Sequence, residues 1–137
     1  VKMKNMSFRD LTVYKKAFEL AMDIFHESKS FPNEEKFGLT SQIRRSSRSV
    51  CANIAEGYRK RQYEAHFVSK LTDADGGNAE TDTWLDFARD CGYLSKAEHA
   101  GLTADCREVG AMLGGMLGNP TPFLLKPTRS APRSLGF

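Results

Sequence analysis

Within residues 41–61, SQIRRSSRSVCANIAEGYRKR, six basic side chains stand against a single acid: Arg44, Arg45, Arg48, Arg59, Lys60 and Arg61 against Glu56. A guanidinium is a permanently charged fork that holds phosphate or carboxylate oxygens in pairs, whereas lysine adds a point charge. The chemistry on offer is anion binding, and Tyr58 and Tyr63 add rings on which a base could stack. A ribonuclease can work with one histidine, an arginine and a carboxylate, and His66 beside Arg59 and Arg61 is the one constellation of that kind. The plainer reading of His66 is a solvated histidine at a helix start.

Other catalytic templates are missing. There is no P-loop, no G-x-G-x-x-G after a strand, no G-x-S-x-G and no H-E-x-x-H. A helical bundle can hold metals through Glu-x-x-His pairs, but the histidines occur as His26-Glu27, Glu64-Ala-His66 and Glu98-His99. The expectation is no enzyme, no metal and no cofactor. Trp84 and Phe87 read as core or subunit interface rather than a ligand cage. Cys51, Cys91 and Cys106 form no C-x-x-C pair and read as small buried apolar residues of a reducing compartment. No stretch approaches the roughly 20 apolar residues of a membrane span, so a cytoplasmic location is expected, with no membrane partner.

The basic run must be positioned by helices. Apolar residues recur at steps of three and four in four segments, which predicts helices over about 8–29, 34–59, 62–91 and 95–118. Ser7 with Asp10, and Ser95 with Glu98, have the spacing of capping boxes. Phe31-Pro32-Asn33-Glu34-Glu35 reads as a stop followed by a new start, and Gly92 as a C-terminal glycine. No segment alternates as a strand would. The fold class is therefore all-α: an up-down-up-down antiparallel four-helix bundle over 1–118 with a Pro-rich C-terminal tail over 119–137. That tail holds four of the five prolines, three bases and no acid, and has no core of its own. Phe123-Leu124-Leu125 within it could dock on the bundle or on a neighbouring subunit. Gly76-Gly77 inside the third helix predicts a kink or a close crossing, and Gly110, Gly114 and Gly118 would let another backbone approach the fourth.

The net charge of +3 is unevenly spread. Residues 33–61 carry seven bases and three acids, whereas residues 62–118 carry four bases and ten acids. On the second helix Ile43, Ser47, Val50, Ile54 and Tyr58 share one arc, and Arg44, Arg45, Arg48 and Arg59 share the next. On the third, Asp75, Asp82, Asp86 and Asp90 line another face. Both stripes could be solvated, since exposed ion pairs contribute only about 0–1 kcal/mol each. The basic stripe of one subunit could instead meet the acidic face of another, fixing register in a homo-oligomer. Or the arginines could hold a nucleic-acid backbone.

The pattern resembles the small bacterial helical proteins named for the intervening sequence of 23S ribosomal RNA genes, the S23 type. The matching stretches are Phe8-Arg-Asp-Leu11, Val13-Tyr14-Lys15-Lys16-Ala17, Phe31-Pro32, Glu35-Lys-Phe-Gly-Leu39, Ser41-Gln-Ile-Arg-Arg45, Asn53-Ile-Ala-Glu-Gly57 and Cys91-Gly-Tyr-Leu94. The resemblance implies a homopentameric bundle with no established catalytic activity and a role in binding nucleic acid; of the nucleic acids, RNA is expected over DNA. The family is also similar to accessory proteins of diversity-generating retroelements, which implies a protein partner such as a reverse transcriptase. Arg44 and Arg45 match the basic pair after Ser-Gln, and Asn53, Glu56 and Gly57 match the central signature. Gly57 would allow a close helix crossing, while Asn53 and Glu56 would bond across helices or subunits. Ala74-Asp-Gly-Gly-Asn-Ala-Glu-Thr-Asp82 departs from the family's Ala-Arg-Gly-Ser-like segment, losing a basic position and gaining acids, which removes the third helix from the expected surface. Phosphate contacts are expected at Arg44, Arg45, Arg48, Arg59, Lys60 and Arg61, with Tyr58 or Tyr63 stacking. The rival expectation is an assembly or scaffold protein whose charged faces serve subunit contacts only.

Overall fold

The four periodic segments are helices in the computed structural model, which describes residues 6–125: α1 (Thr12–Glu27), α2 (Leu39–Arg59), α3 (Glu64–Asp90) and α4 (Lys96–Gly118). No strand occurs among the described residues. Each helix packs on the next in the chain and α1 packs on α4, so the four close into a bundle, with α2 and α3 packed most extensively. No helix of the described residues is long and apolar enough to cross a membrane.

The first two helices start later than their sequence signals. The Ser7–Asp10 capping box forms, but it closes a separate 3-10 turn, Phe8–Asp10, because Leu11 is extended (φ −68°, ψ 132°) and turns its side chain onto the core. Similarly, Asn33–Glu35 is a lone 3-10 turn, and α2 begins only after Gly38. There the Glu35 carboxylate accepts the Leu39 N–H at 2.9 Å, satisfying one of the orphan donors of the helix start. The other boundaries agree with the pattern. Ser95 and Glu98 form a reciprocal capping box, and α3 ends in a Schellman turn at Gly92, the one described residue with positive φ (81°). Its amide donates to Arg89 O at 2.9 Å and that of Tyr93 to Ala88 O at 2.8 Å.

The core has two apolar clusters along the bundle axis. Val13, Ile54, Phe67, Leu71, Val109 and Leu113 anchor one; Ile24, Ile43, Leu85, Leu102 and Cys106 anchor the other. Between them runs a polar layer whose groups satisfy one another. Ser46 Oγ and Thr81 Oγ1 are 2.8 Å apart, Thr81 also donates to Gly77 O at 2.9 Å, and Asn78 Nδ2 donates to Cys106 O at 2.8 Å. A shift of one turn would strand these buried groups without partners, so the layer fixes helix register.

Gly76-Gly77 makes no break in α3. Gly77 is the close crossing: a Cβ there would stand 2.5 Å from Ser49 Oγ and 3.4 Å from Ser46 O on α2. Gly57 does the same near the other end, with Lys70 Cβ 3.2 Å from where its own Cβ would be. On α4 only Gly110 meets a neighbour, Asn78 Nδ2, while Gly114 and Gly118 face open space. The segment expected to be a tail begins as part of the bundle. The Phe123 ring stacks on Phe67 at 6.3 Å, Leu124 packs against the core, and the Leu125 amide donates to Arg61 O at 3.4 Å. Residues 126–137, the rest of the expected tail, lie outside the described residues.

Candidate nucleic-acid interface on the second helix

The basic residues of α2 fall into two classes. Arg44 is half-buried and committed to its own fold: its Nε donates to Ser28 Oγ at 2.8 Å, and its guanidinium lies 4.7 Å from the Phe25 ring centroid. Arg45, Arg48, Arg59 and Lys60 are exposed. Arg45 donates to Gln42 Oε1 at 3.1 Å and Arg48 reaches 6.0 Å from the Phe25 ring, so both lie along the helix surface with charge to spare. Among the described residues none of the six basic side chains forms an ion pair. Glu56, the one acid nearby, is taken by Lys70 of α3 at 2.8 Å. That hydrogen bond and the ammonium charge lower the Glu56 pKa and raise that of Lys70.

Tyr58 is corrected from stacking group to core residue. It is 8% exposed, and the Arg61 guanidinium covers its ring at 3.6 Å while Arg61 Nε donates to Tyr58 O at 2.7 Å. Burial and the Arg61 guanidinium leave the Tyr58 ring no open face for a base, and Arg61 is held against it through Nε. Tyr63 differs: it is 59% exposed at the start of α3, with the His66 ring 5.5 Å away. His66 is exposed and makes no hydrogen bond or ion pair with Arg59 or Arg61 among the described residues. Asn53 donates to Ser49 O at 3.0 Å, within its own helix rather than across helices. Glu56 does bond across helices, and Gly57 does admit a close crossing.

Two of the four α3 acids, Asp86 and Asp90, have partners that their spacing did not reveal. Asp86 accepts from His99 Nε2 at 2.8 Å, and Arg89 reaches both Asp86 (3.9 Å) and Asp90 (2.8 Å). Phe25 was also missed as a site residue; three cations surround it, Lys29 at 4.8 Å being the third. Its place at the edge of the α1 apolar arc was the available signal. Among the described residues no group of three or more His, Cys, Asp or Glu side chains converges to hold a metal ion.

A family model described as "23S rRNA-intervening sequence protein" matches residues 9–115 of the 137. The chain belongs to this family. This 23S rRNA-intervening sequence protein is similar to a crystallised protein with unknown function from the S23 ribosomal protein family of Bacteroides thetaiotaomicron. The chain is 30% identical to it with a TM-score of 0.71, over 78% of this chain and 96% of that one. No curated protein matches the chain. The match spans all of α1, α2 and α3, so the basic face lies wholly inside the family region. The family's description names no enzymatic activity.

Proposed function

We propose that this 23S rRNA-intervening sequence protein is a non-enzymatic bundle that acts in the cytoplasm as a homo-oligomer and holds nucleic acid, RNA over DNA, on the outer face of α2. The observation that carries this reading is the uncompensated charge: six basic side chains in 18 residues, with no ion pair among the described residues and their one neighbouring acid already bound. Such a face attracts a polyanion, and releasing condensed counterions from the polyanion supplies the binding free energy. Exposed Arg45, Arg48, Arg59 and Lys60 would contact phosphates directly, with Tyr63 as the stacking ring. Arg44 and Arg61 would contribute field more than contact, since their guanidinium groups already have partners. With no base-reading groove element in the site, recognition would rest on backbone and shape. The assembled form would be the pentamer that the resemblance implies, offering several such faces to one RNA and working beside a protein partner such as a reverse transcriptase.

The test is fluorescence anisotropy of a short structured RNA from about 50 to 200 mM salt, with Arg45→Glu/Arg48→Glu alongside after confirming that it assembles like wild type. The expected result is a log–log salt slope of several units, at about 0.9 per phosphate contact on duplex, with both affinity and slope reduced in the variant. No binding by wild type at the lowest salt would overturn the reading. A second reading, a pure assembly protein, is favoured by the acidic exterior of α3, where Asp75, Asp86 and Asp90 are exposed. On that reading the oligomer itself loosens as salt rises and no RNA binds.

A further inference from the structure

Two apolar patches on the outside of the bundle are uncovered within the described chain. The first is a ridge on α1, where Tyr14, Phe18, Met22 and Phe25 recur at steps of four, four and three and so stand in one row. Phe18 is 50% and Met22 39% exposed, and the Tyr14 and Phe18 rings are 6.0 Å apart. The Phe25 end of this ridge is cationic, with Lys29, Arg44 and Arg48 around the ring, whereas beside Phe18 exposed Lys15 is accompanied by exposed Glu19.

The second patch lies on α3. Gly76, Glu80, Thr83, Phe87 and Asp90 recur at steps of four and three, and all are exposed. Phe87 is 55% exposed, with the Trp84 ring 5.8 Å away, and the Trp84 indole N–H is buried with no hydrogen-bond partner. This row carries Glu80 and Asp90; exposed Arg89 beside it pairs with Asp90 at 2.8 Å, which leaves Glu80 as the row's unpaired acid among the described residues. Gly76 is a further oddity, because a Cβ there would meet nothing within 4 Å. A glycine in the middle of a helix costs about 1 kcal/mol relative to alanine, and no contact inside the protomer accounts for it. A second surface passing close over this row would.

We propose that the two patches are the halves of one interface, in which the α3 row of one copy of the chain lies on the α1 ridge of the next. This rests on the oligomeric part of the function proposed above and assigns its contact surfaces. Apolar surface meets apolar surface, which drives association. The Glu80 side of the α3 row meets the cationic Phe25 end of the α1 ridge, which fixes the orientation. Pairing ridge on ridge would set Lys29 against its own copy, and pairing row on row would set Glu80 against its own. The join is therefore head to tail, and every added copy leaves one ridge and one row free until the assembly closes on itself. Arg45, Arg59 and Lys60 make no cation–ring contact with the ridge, and exposed Arg48 stands 6.0 Å from the Phe25 ring at its margin, so all four remain for phosphates.

The test is sedimentation velocity on the full chain, on Phe18→Asp, on Phe87→Asp and on their equimolar mixture, with far-UV circular dichroism confirming that each variant folds. Both positions are exposed, so neither substitution enters the core. Wild type is expected to be an oligomer and each variant alone a monomer. The mixture is expected to form a dimer and nothing larger, because it holds one intact ridge and one intact row. A variant that keeps the wild-type size, or a mixture that stays monomeric, overturns the assignment and leaves the oligomer standing. Monomeric wild type overturns both. If Phe18→Asp keeps its size but loses RNA affinity in the anisotropy assay, the ridge is covered by RNA and the assignment falls.

Discussion

The Tyr93 hydroxyl donates to Glu35 Oε2 at 2.8 Å while the Leu39 amide donates to Oε1 of the same carboxylate at 2.9 Å. One side chain thus ties the first turn of α2 to the turn between α3 and α4. The Phe31 ring, 5.5 Å from that of Tyr93, packs beside this link.

This link makes stability pH-dependent with a definite sign. The Leu39 amide first, and then the Tyr93 hydroxyl, favour the ionised carboxylate and hold the Glu35 pKa below its ordinary value. A carboxyl depressed in the folded state contributes stability that is present above its unfolded pKa and lost as pH falls through the folded one. Thermal melts from neutral pH down to about pH 3 should show Glu35→Gln with a lower Tm at neutral pH and a flatter acid limb than wild type. The Tyr93 phenol is pushed up to about 12, by its bond to Glu35 first and burial second. Its contribution is present below the ordinary phenol pKa and lost as pH rises through about 12.

Adjacent glycines should respond in opposite directions. Gly76→Ala meets nothing and gains helix propensity, so chemical denaturation should show a protomer more stable by about 0.5–1 kcal/mol. Gly77→Val drives a branched side chain into Ser49 and the Ser46 carbonyl, and should destabilise by about 1–3 kcal/mol.

The two tyrosines near the basic turn should separate stability from binding. Tyr58→Ala removes a buried ring and should cost about 3 kcal/mol in urea unfolding. Tyr63→Ala should leave the melt unchanged and weaken RNA binding in the anisotropy assay. Equal RNA affinity in Tyr63→Ala would remove stacking from the mechanism.

Thiol titration should count one reactive cysteine in the native protein and three in denaturant. Burial raises the Cys51 thiol to about 11 and Cys106 to about 12, so neither supplies thiolate near neutral pH. Cys91, expected from sequence to be buried, is exposed at the end of α3.

The helices and both core clusters were legible because a 3.6-residue period is written directly into Leu20, Ile24, Ile43, Val50, Ile54, Leu71 and Leu85. The late starts of α1 and α2 were not. Ser7–Asp10 and Asn33–Glu35 form real turns, and spacing alone does not say whether a turn continues into a helix. Within the site, the charge of α2 was visible but its availability was not. Arg44 is held by Ser28, 16 positions away on the preceding segment, a contact outside any local pattern. The Arg61–Tyr58 pair lies only three residues apart, but Arg61 is past the end of α2, where helical spacing no longer says which side chains meet.

The cavity at one end of the bundle is lined by Met6 and Leu11 ahead of α1 and by Met116, Pro122 and Phe123 at and beyond the end of α4. The segments flanking the first and last helices are therefore side by side. The order in which the chain visits its helices is thus separable from how they pack: a peptide joining those two segments and an opening at exposed Ala65, at the start of α3, would give a circular permutant that keeps both core clusters and the Gly92 turn.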